Sequence, residues 1–245
     1  MLAGGPPPAT VPLAALRAQW HPSTPVVATA CTDFKCRIFS AYLKNVDGKA
    51  VSTPWGDNPK FGTLFYEVES AGWVRNVAFS PSGDTLAFCS HNATVSFVDV
   101  VSGTAPQVVR LSDLPLTQLT FLPDGSLLGV GHCYEPLLFT RTAAGWAFAG
   151  KLKGKAAEKA ATGGNFANAR NMFQTQSATG QSSLARESDK SSGMHGNQVC
   201  GLQVFNSSIG ANAAEFTTSA LDGKIVFWTR DDLTAAMSQL AINVS

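Results

Sequence analysis

The sequence predicts an all-β protein built from repeated small antiparallel sheets. One pattern occurs four times: three apolar segments, the first two joined by a polar turn and the last two by a tight turn. In the first three copies the polar turn reads HPST, SPSG or LPDG, and turns rich in Pro and Gly connect the strands of hairpins. A fourth apolar segment follows the third in these copies, which predicts four strands in most of them.

The spacing of the copies indicates the architecture. A four-stranded sheet that recurs about every 40 residues buries its faces only against its neighbours, as the blades of a β-propeller do. We therefore predict about four propeller blades. The copies span residues 16–39, 74–98, 116–139 and 199–228, with fourth strands at 62–68, 105–111 and 146–152.

The tight turn between the second and third strands carries a polar residue in most copies. Asp33, Asn92, Tyr134 and Asp222 occupy this position. A carboxylate there can accept hydrogen bonds from nearby backbone N–H groups, an Asn side chain does so more weakly, and a Tyr side chain cannot. We predict that Asp33, Asn92 and Asp222 are structural turn residues.

Two cysteines flank the first of these turns in the stretch ACTDFKCRIFS. The repeat predicts that Cys31 ends the second strand and that Cys36 begins the third. A metal knuckle needs a second pair of ligands, and the nearest candidates, His132 and Cys133, lie at the equivalent turn of another blade. Buried packing is the favoured interpretation, and a metal or redox site is the alternative.

Composition excludes some classes of function. Hydrophobic residues make up 44% of the 245 residues, and 18 basic residues nearly balance 17 acidic ones. Such a chain has a core but no strong field to attract nucleic acid or an anionic membrane. Residues 1–13 are rich in Pro and Gly, unlike a secretory signal, and no apolar run is long enough to insert into a membrane. We expect a cytoplasmic protein.

No motif of a known catalytic mechanism occurs in the sequence. A nucleophile elbow, a Walker loop and an H-E-x-x-H pair are all absent. The histidines have structural explanations: His21 opens a turn, His91 and His132 lie near tight turns, and His195 falls in a polar insertion. We predict that the protein is not an enzyme and holds no cofactor or metal.

The polar insertion covers residues 153–197 of a partial propeller that extends over 14–245. Small and polar residues dominate it, which predicts a long flexible arm. Within it, Phe166, Ala169, Arg170 and Phe173 follow the spacing of one helical face. This short helix can enter a groove on a partner, or its aromatic rings can dock back onto the propeller.

Several stretches together resemble one family. DFKCRIFSAYLK at 33–44, TPWG at 53–56, GWV at 72–74 and LDGKIVFW at 221–228 are similar, in this order, to the WD-repeat subunit, numbered 1, of the actin-related protein 2/3 complex. The resemblance implies a seven-bladed propeller. About three N-terminal blades and the outer strand of the fourth copy are then expected to be missing, so a fragment, a truncated gene model and a divergent short form all stay open.

The segment that follows the fourth copy, DDLTAAMSQLAI, has a helical pattern. Leu233, Met237 and Leu240 share one face of the predicted short helix. The Trp-Asp dipeptide that gives WD repeats their name is not intact in any copy.

The resemblance also implies a function. The family carries an arm helix with an Ala-Arg-x-x-Phe-Gln pattern, matched here by Ala169, Arg170, Phe173 and Gln174. The implied role is a structural, actin-contacting subunit in actin nucleation, with Phe173 as a buried anchor and Arg170 in an ion pair. Implied partners are the actin-related proteins and other subunits of the complex, the actin filament and nucleation-promoting factors. The alternative is a free-standing WD-repeat adaptor, such as a ubiquitin-ligase substrate receptor.

Overall fold

The computed structural model describes residues 13–48, 52–56, 60–122, 125–153, 194–206, 215–229, 231–233 and 235. These residues form four antiparallel sheets, and within each sheet the strands follow the order of the chain. The first sheet contains β1 (Ala15–Trp20), β2 (Val26–Cys31), β3 (Lys35–Ser40) and β4 (Leu64–Glu69). The second contains β5 (Val74–Phe79), β6 (Thr85–Ser90), β7 (Thr94–Asp99) and β8 (Gln107–Arg110).

The third and fourth sheets repeat this arrangement. The third contains β9 (Leu116–Phe121), β10 (Ser126–Gly131), β11 (Leu137–Thr142) and β12 (Gly145–Lys151). The fourth contains three strands among the described residues, β13 (Val199–Asn206), β14 (Glu215–Ala220) and β15 (Ile225–Trp228). The predicted all-β architecture of about four propeller blades is therefore confirmed.

The turns between second and third strands have closely similar backbone conformations. Phe34 (φ 69°), Ala93 (φ 58°) and Gly223 (φ 76°) each follow the polar turn residue of their copy and lie in the left-handed region. Glycine adopts this conformation at little cost, whereas Phe and Ala do so less readily. The first two copies therefore keep the turn geometry without the residue that favours it.

Three hydrophobic clusters hold the sheets together, one at each junction. The first joins Val26 and Ile38 of the first sheet to Phe79 and Phe88 of the second. The second joins the second and third sheets, and the third joins the third and fourth sheets. Burial of each Leu, Phe or Val side chain contributes about 1.5–3 kcal/mol to the free energy of folding. Because the three clusters lie at the junctions, this stabilisation comes mainly from contacts between sheets.

A loop from the first sheet completes the first junction. Trp55, in the TPWG stretch between β3 and β4, is buried and donates its Nε1–H to Gly83 O at 2.9 Å. His21 Nε2 lies 3.2 Å from the same carbonyl, and its Nδ1 accepts the backbone N–H groups of Ser23 and Thr24. The Nε2 atom therefore carries the proton. Burial lowers the pKa of His21, which keeps the ring neutral near pH 7.

Two glutamine side chains bridge the other junctions in the same way. Gln107 donates to Trp146 O and accepts from Trp146 N, at 2.6 and 2.7 Å. Gln118 does the same to Leu202, at 2.6 and 3.0 Å. An amide side chain presents one donor and one acceptor side by side, so it can pair with a backbone unit of the next sheet.

Gly83 should be intolerant of any side chain. A Cβ at this position would overlap the His21 ring, and its φ is +85°. Gly103 is the matched control, because its φ is +60° but nothing lies within 4 Å of a Cβ built there. We expect Gly83→Ala to lower the free energy of unfolding by about 1–3 kcal/mol more than Gly103→Ala, as overpacked sites do. Denaturant unfolding followed by circular dichroism measures this difference, and equal losses in the two variants would contradict the packing described.

Candidate functional site

The predicted arm residues Phe166, Ala169, Arg170, Phe173 and Gln174 lie outside the described residues, as do Met237 and Leu240. The two ends of the segment that contains the arm residues are described. Leu152 and Met194 both pack in the cluster between the third and fourth sheets. The segment therefore leaves and rejoins the propeller at one place, which we call the arm root and define by Leu152, Met194, His195, Thr218, Asp222 and Trp228.

A buried chain of polar contacts stabilises the arm root. Trp228 Nε1 donates to Thr218 Oγ1 at 2.9 Å, and Thr218 Oγ1 lies 2.7 Å from His195 Nε2. All three residues are at most 2% exposed. Because His195 Nδ1 faces the Asp222 carboxylate, we assign the imidazole proton to Nδ1, and the Thr218 hydroxyl then donates to Nε2.

Asp222 lies at the end of this chain and fixes the backbone around it. Its Oδ2 accepts the N–H of Gly196 at 2.7 Å, and its Oδ1 accepts the N–H of Lys224 at 3.0 Å. Asp222 Oδ1 is also 3.7 Å from His195 Nδ1. The hydrogen bond from Gly196 lowers the pKa of the Asp222 carboxyl, and burial lowers the pKa of His195, so the pair is a carboxylate facing a neutral ring near pH 7.

The structure gives His195 a packing role that the sequence did not show. The sequence placed this residue in the polar insertion, and the structure buries its side chain against Thr218 of the fourth sheet. The sequence feature that could have indicated this burial is the set of His195 before β13, Thr218 on β14, Asp222 in the following turn and Trp228 on β15. The spacing of the repeat did not indicate that His195 belongs to the fourth blade, because nearly all of the insertion separates it from the third blade.

The first blade fills the equivalent turn with an ion-pair network. Arg37, on β3, is 6% exposed and pairs with Asp33 at 2.5 Å and with Glu67 at 2.7 Å. Glu67 also pairs with Lys35. The hydrogen bond from Arg37 lowers the pKa of Asp33, so this carboxyl stays ionised near neutral pH. In the first blade, Arg37 therefore stabilises the turn that the chain of neutral polar contacts stabilises in the fourth blade.

The remaining turn residues make weaker contacts. Asn92 Oδ1 accepts the hydroxyl of Thr94 at 2.8 Å. Tyr134 is exposed and lies in the turn between β10 and β11. Asp33, Asn92 and Asp222 therefore all lie in the predicted turns, and the two carboxylates make the more extensive contacts.

The cysteines of the first blade are packed in its interior. Cys31 ends β2, as predicted, and the third strand begins at Lys35, one residue earlier than predicted. Cys31 and Cys36 are free thiols with no more than 1% exposure, and burial raises the pKa of Cys36. Within the part of the chain that the structure describes, no group of three or more His, Cys, Asp or Glu residues is placed to hold a metal ion.

These blades and turns have the arrangement of a WD-repeat β-propeller fold. The family model "WD domain, G-beta repeat" matches residues 62–99, which include β4 to β7. No helix among the described residues is long and apolar enough to cross a lipid bilayer.

Comparison with curated proteins gives a more specific likeness. The chain is 34% identical over 232 residues to actin-related protein 2/3 complex subunit 1B-A of Xenopus laevis, covering 93% of this chain and 60% of the relative. It is 32% identical over 228 residues to subunit 1 of Schizosaccharomyces pombe, covering 87% and 60%. It is 34% identical over 226 residues to subunit 1B of Arabidopsis thaliana, covering 87% and 58%.

The resemblance inferred from the sequence motifs is therefore confirmed. The protein is similar to subunit 1 of the actin-related protein 2/3 complex over about nine-tenths of its own length. The chain spans about 60% of the length of the curated relatives that it matches.

Removal of the Thr218 hydroxyl from the arm root should lower the stability of the protein strongly. Thr218→Val keeps the shape of the side chain but leaves Trp228 Nε1 and His195 Nε2 without a partner. Each unsatisfied buried polar group costs about 1–3 kcal/mol, so we expect a loss of at least about 2 kcal/mol in the free energy of unfolding.

Thr217→Val is the matched control, because Thr217 lies on the same strand, is only partly buried and is not part of the polar chain. Thermal unfolding followed by near-ultraviolet circular dichroism compares the two variants. A Thr217→Val loss as large as that of Thr218→Val would show that the polar chain contributes nothing specific.

Proposed function

We propose that this protein is a non-catalytic structural subunit of the actin-related protein 2/3 complex, located in the cytoplasm at the actin cytoskeleton. The observation that carries the proposal is the similarity to subunit 1 from an animal, a yeast and a plant, at 32–34% identity over 87–93% of the chain. Its partners are then the actin-related proteins and the other subunits of the complex. Its role is to support nucleation of actin filaments and assembly of branched networks.

The fold supports a role in binding. Sheets joined by three buried clusters form a rigid body, and rigid bodies lose little conformational entropy when they bind. Most polar side chains at the arm root and in the first-blade turn contact one another. We propose that the chain acts by contact, that it holds no cofactor, and that any nucleotide belongs to the actin-related subunits.

The arm is the proposed contact with actin, within a partial propeller at 14–245 that carries an insertion at 153–197. Phe173 is the apolar anchor of its predicted helix, with Phe166 and Ala169 on the same face. Arg170 pairs with an acidic group of actin, and Gln174 completes the pattern shared with the family. The arm root supports this proposal, because both ends of the segment are fixed at one junction, from which a short helix can be presented to a filament or to a nucleation-promoting factor.

Removal of the anchor and the charge should separate assembly from branching. We expect Arg170→Ala with Phe173→Ala to leave the purified complex intact and to reduce branches per filament length at least tenfold, because truncated anchor residues cost more than about 1.4 kcal/mol of binding energy. Asn168→Ala with Asn171→Ala is the matched control, since these residues lie off the predicted apolar face. Fluorescence microscopy of actin filaments counts the branches.

Subunit composition is measured on the same tagged proteins, purified from cells in which they replace the native protein. Loss of the complex in the Arg170 and Phe173 variant would mean that the arm is a structural element. Absence of the two actin-related proteins from the wild-type preparation would overturn the proposed function and favour a free-standing adaptor.

A further inference from the structure

A groove between the second and third sheets is separate from the arm root. Its volume is about 390 Å³, within the size range of ligand-binding pockets. The β5–β6 turn and the neighbouring end of β7 line it from the second sheet, and the end of β9, the end of β11 and Trp146 line it from the third. The side chains that matter for recognition are those of Ser80, Asp84, Asp99, Phe121, Arg141 and Trp146.

Aromatic packing makes the base of this groove rigid. The Trp146 ring stacks on Phe97 with centroids 4.4 Å apart and meets Phe121 edge-on at 5.7 Å. Gln107 holds the backbone of Trp146 through its two hydrogen bonds. Trp146 is 6% exposed, and its Nε1 has no hydrogen-bond partner in the described structure.

The two carboxylates in the groove differ in their hydrogen bonds and ion pairs. Asp99 is fully engaged, because Arg141 donates to it at 2.6 Å and the N–H groups of Val101 and Ser102 donate to its other oxygen at 3.1 Å. Asp84 is different, since its carboxylate forms no hydrogen bond or ion pair with any described residue. Among the described residues that line the groove, two carboxylates and one guanidinium give a net charge of −1, contributed by Asp84.

The position of Asp84 is fixed by its neighbours. Gly83 precedes it and accepts hydrogen bonds from both His21 and Trp55. The backbone N–H of Asp84 donates to Ser82 Oγ at 3.4 Å, and its carbonyl accepts from Val100 N at 3.1 Å. A partner therefore meets a loop whose backbone is already ordered, and little of that loop has to be ordered on binding.

We propose that this groove binds one Lys or Arg side chain of a partner protein. The cationic group pairs with Asp84, and the methylene stem packs against the accessible edges of Phe121 and Trp146. The apolar ring edges match the methylene stem and the carboxylate matches the cation, so both parts of the side chain are accommodated. An anionic ligand fits less well, because the guanidinium in the groove is already paired with Asp99. This site is independent of the proposed function in actin nucleation.

Binding of defined peptides to the purified full chain tests the site. The probes are fluorescent nine-residue Gly/Ser peptides with a central Arg, citrulline or Glu. Citrulline keeps the shape of Arg but has no charge. We expect the Arg peptide to bind at least tenfold more tightly than the citrulline peptide by fluorescence anisotropy, and Asp84→Asn to abolish this difference. Glu69→Gln, an exposed acid on the first sheet, is the control that should retain it.

A charge reversal keeps the test decisive if Asp84→Asn folds poorly. We expect Asp84→Lys to prefer the Glu peptide over the other two. Equal binding of the Arg and citrulline peptides to the wild-type chain would overturn the proposal. A preference of the wild-type chain for the Glu peptide, or an Arg preference that survives Asp84→Asn, would also overturn it, because either result would assign recognition to another group.

Discussion

Face-to-face packing between neighbouring sheets is the interaction on which the rest of this structure depends. One small sheet of a repeat protein cannot bury its own apolar faces and needs a neighbouring sheet to cover them. Each sheet here buries its apolar side chains against the next, and the three hydrophobic clusters all lie at junctions. Hydrogen bonds from Gln107, Gln118 and Trp55 cross the same junctions, so polar and apolar contacts fix the same relative positions of the blades.

The arm root shows how this packing can serve binding. The long polar segment does not interrupt the core, because Leu152 and Met194 at its two ends lie in one cluster. The chain of contacts through His195, Thr218 and Trp228 then holds the returning end against the fourth sheet. Such an arrangement lets a blade carry a large insertion without loss of its internal geometry. The proposed actin contact is then attached to the propeller at a fixed position, the arm root.

Much of this fold was predictable from the sequence, because Pro and Gly punctuate the turns and apolar residues alternate between them. The strands of the first three blades and the turn positions of Asp33, Asn92 and Asp222 follow from that local chemistry. The burial of His195 did not follow, because its partners Thr218 and Trp228 are brought to it by tertiary structure across an insertion. The paired state of Asp99 was also hidden, since Arg141 belongs to another blade. Local rules predict turns and strands, whereas contacts between blades depend on how the sheets stack.

Packing between sheets also sets the unit in which this structure unfolds. Native-state hydrogen exchange of the purified full chain, followed by mass spectrometry at increasing denaturant concentration, measures this unit directly. If the junctions bind the blades into one body, amides of β6 and β7 in the second sheet and of β10 and β11 in the third sheet will open with the same free energy and the same denaturant dependence. Opening of the second sheet with a free energy distinct from that of the third would show that each blade is stable alone and would contradict this account.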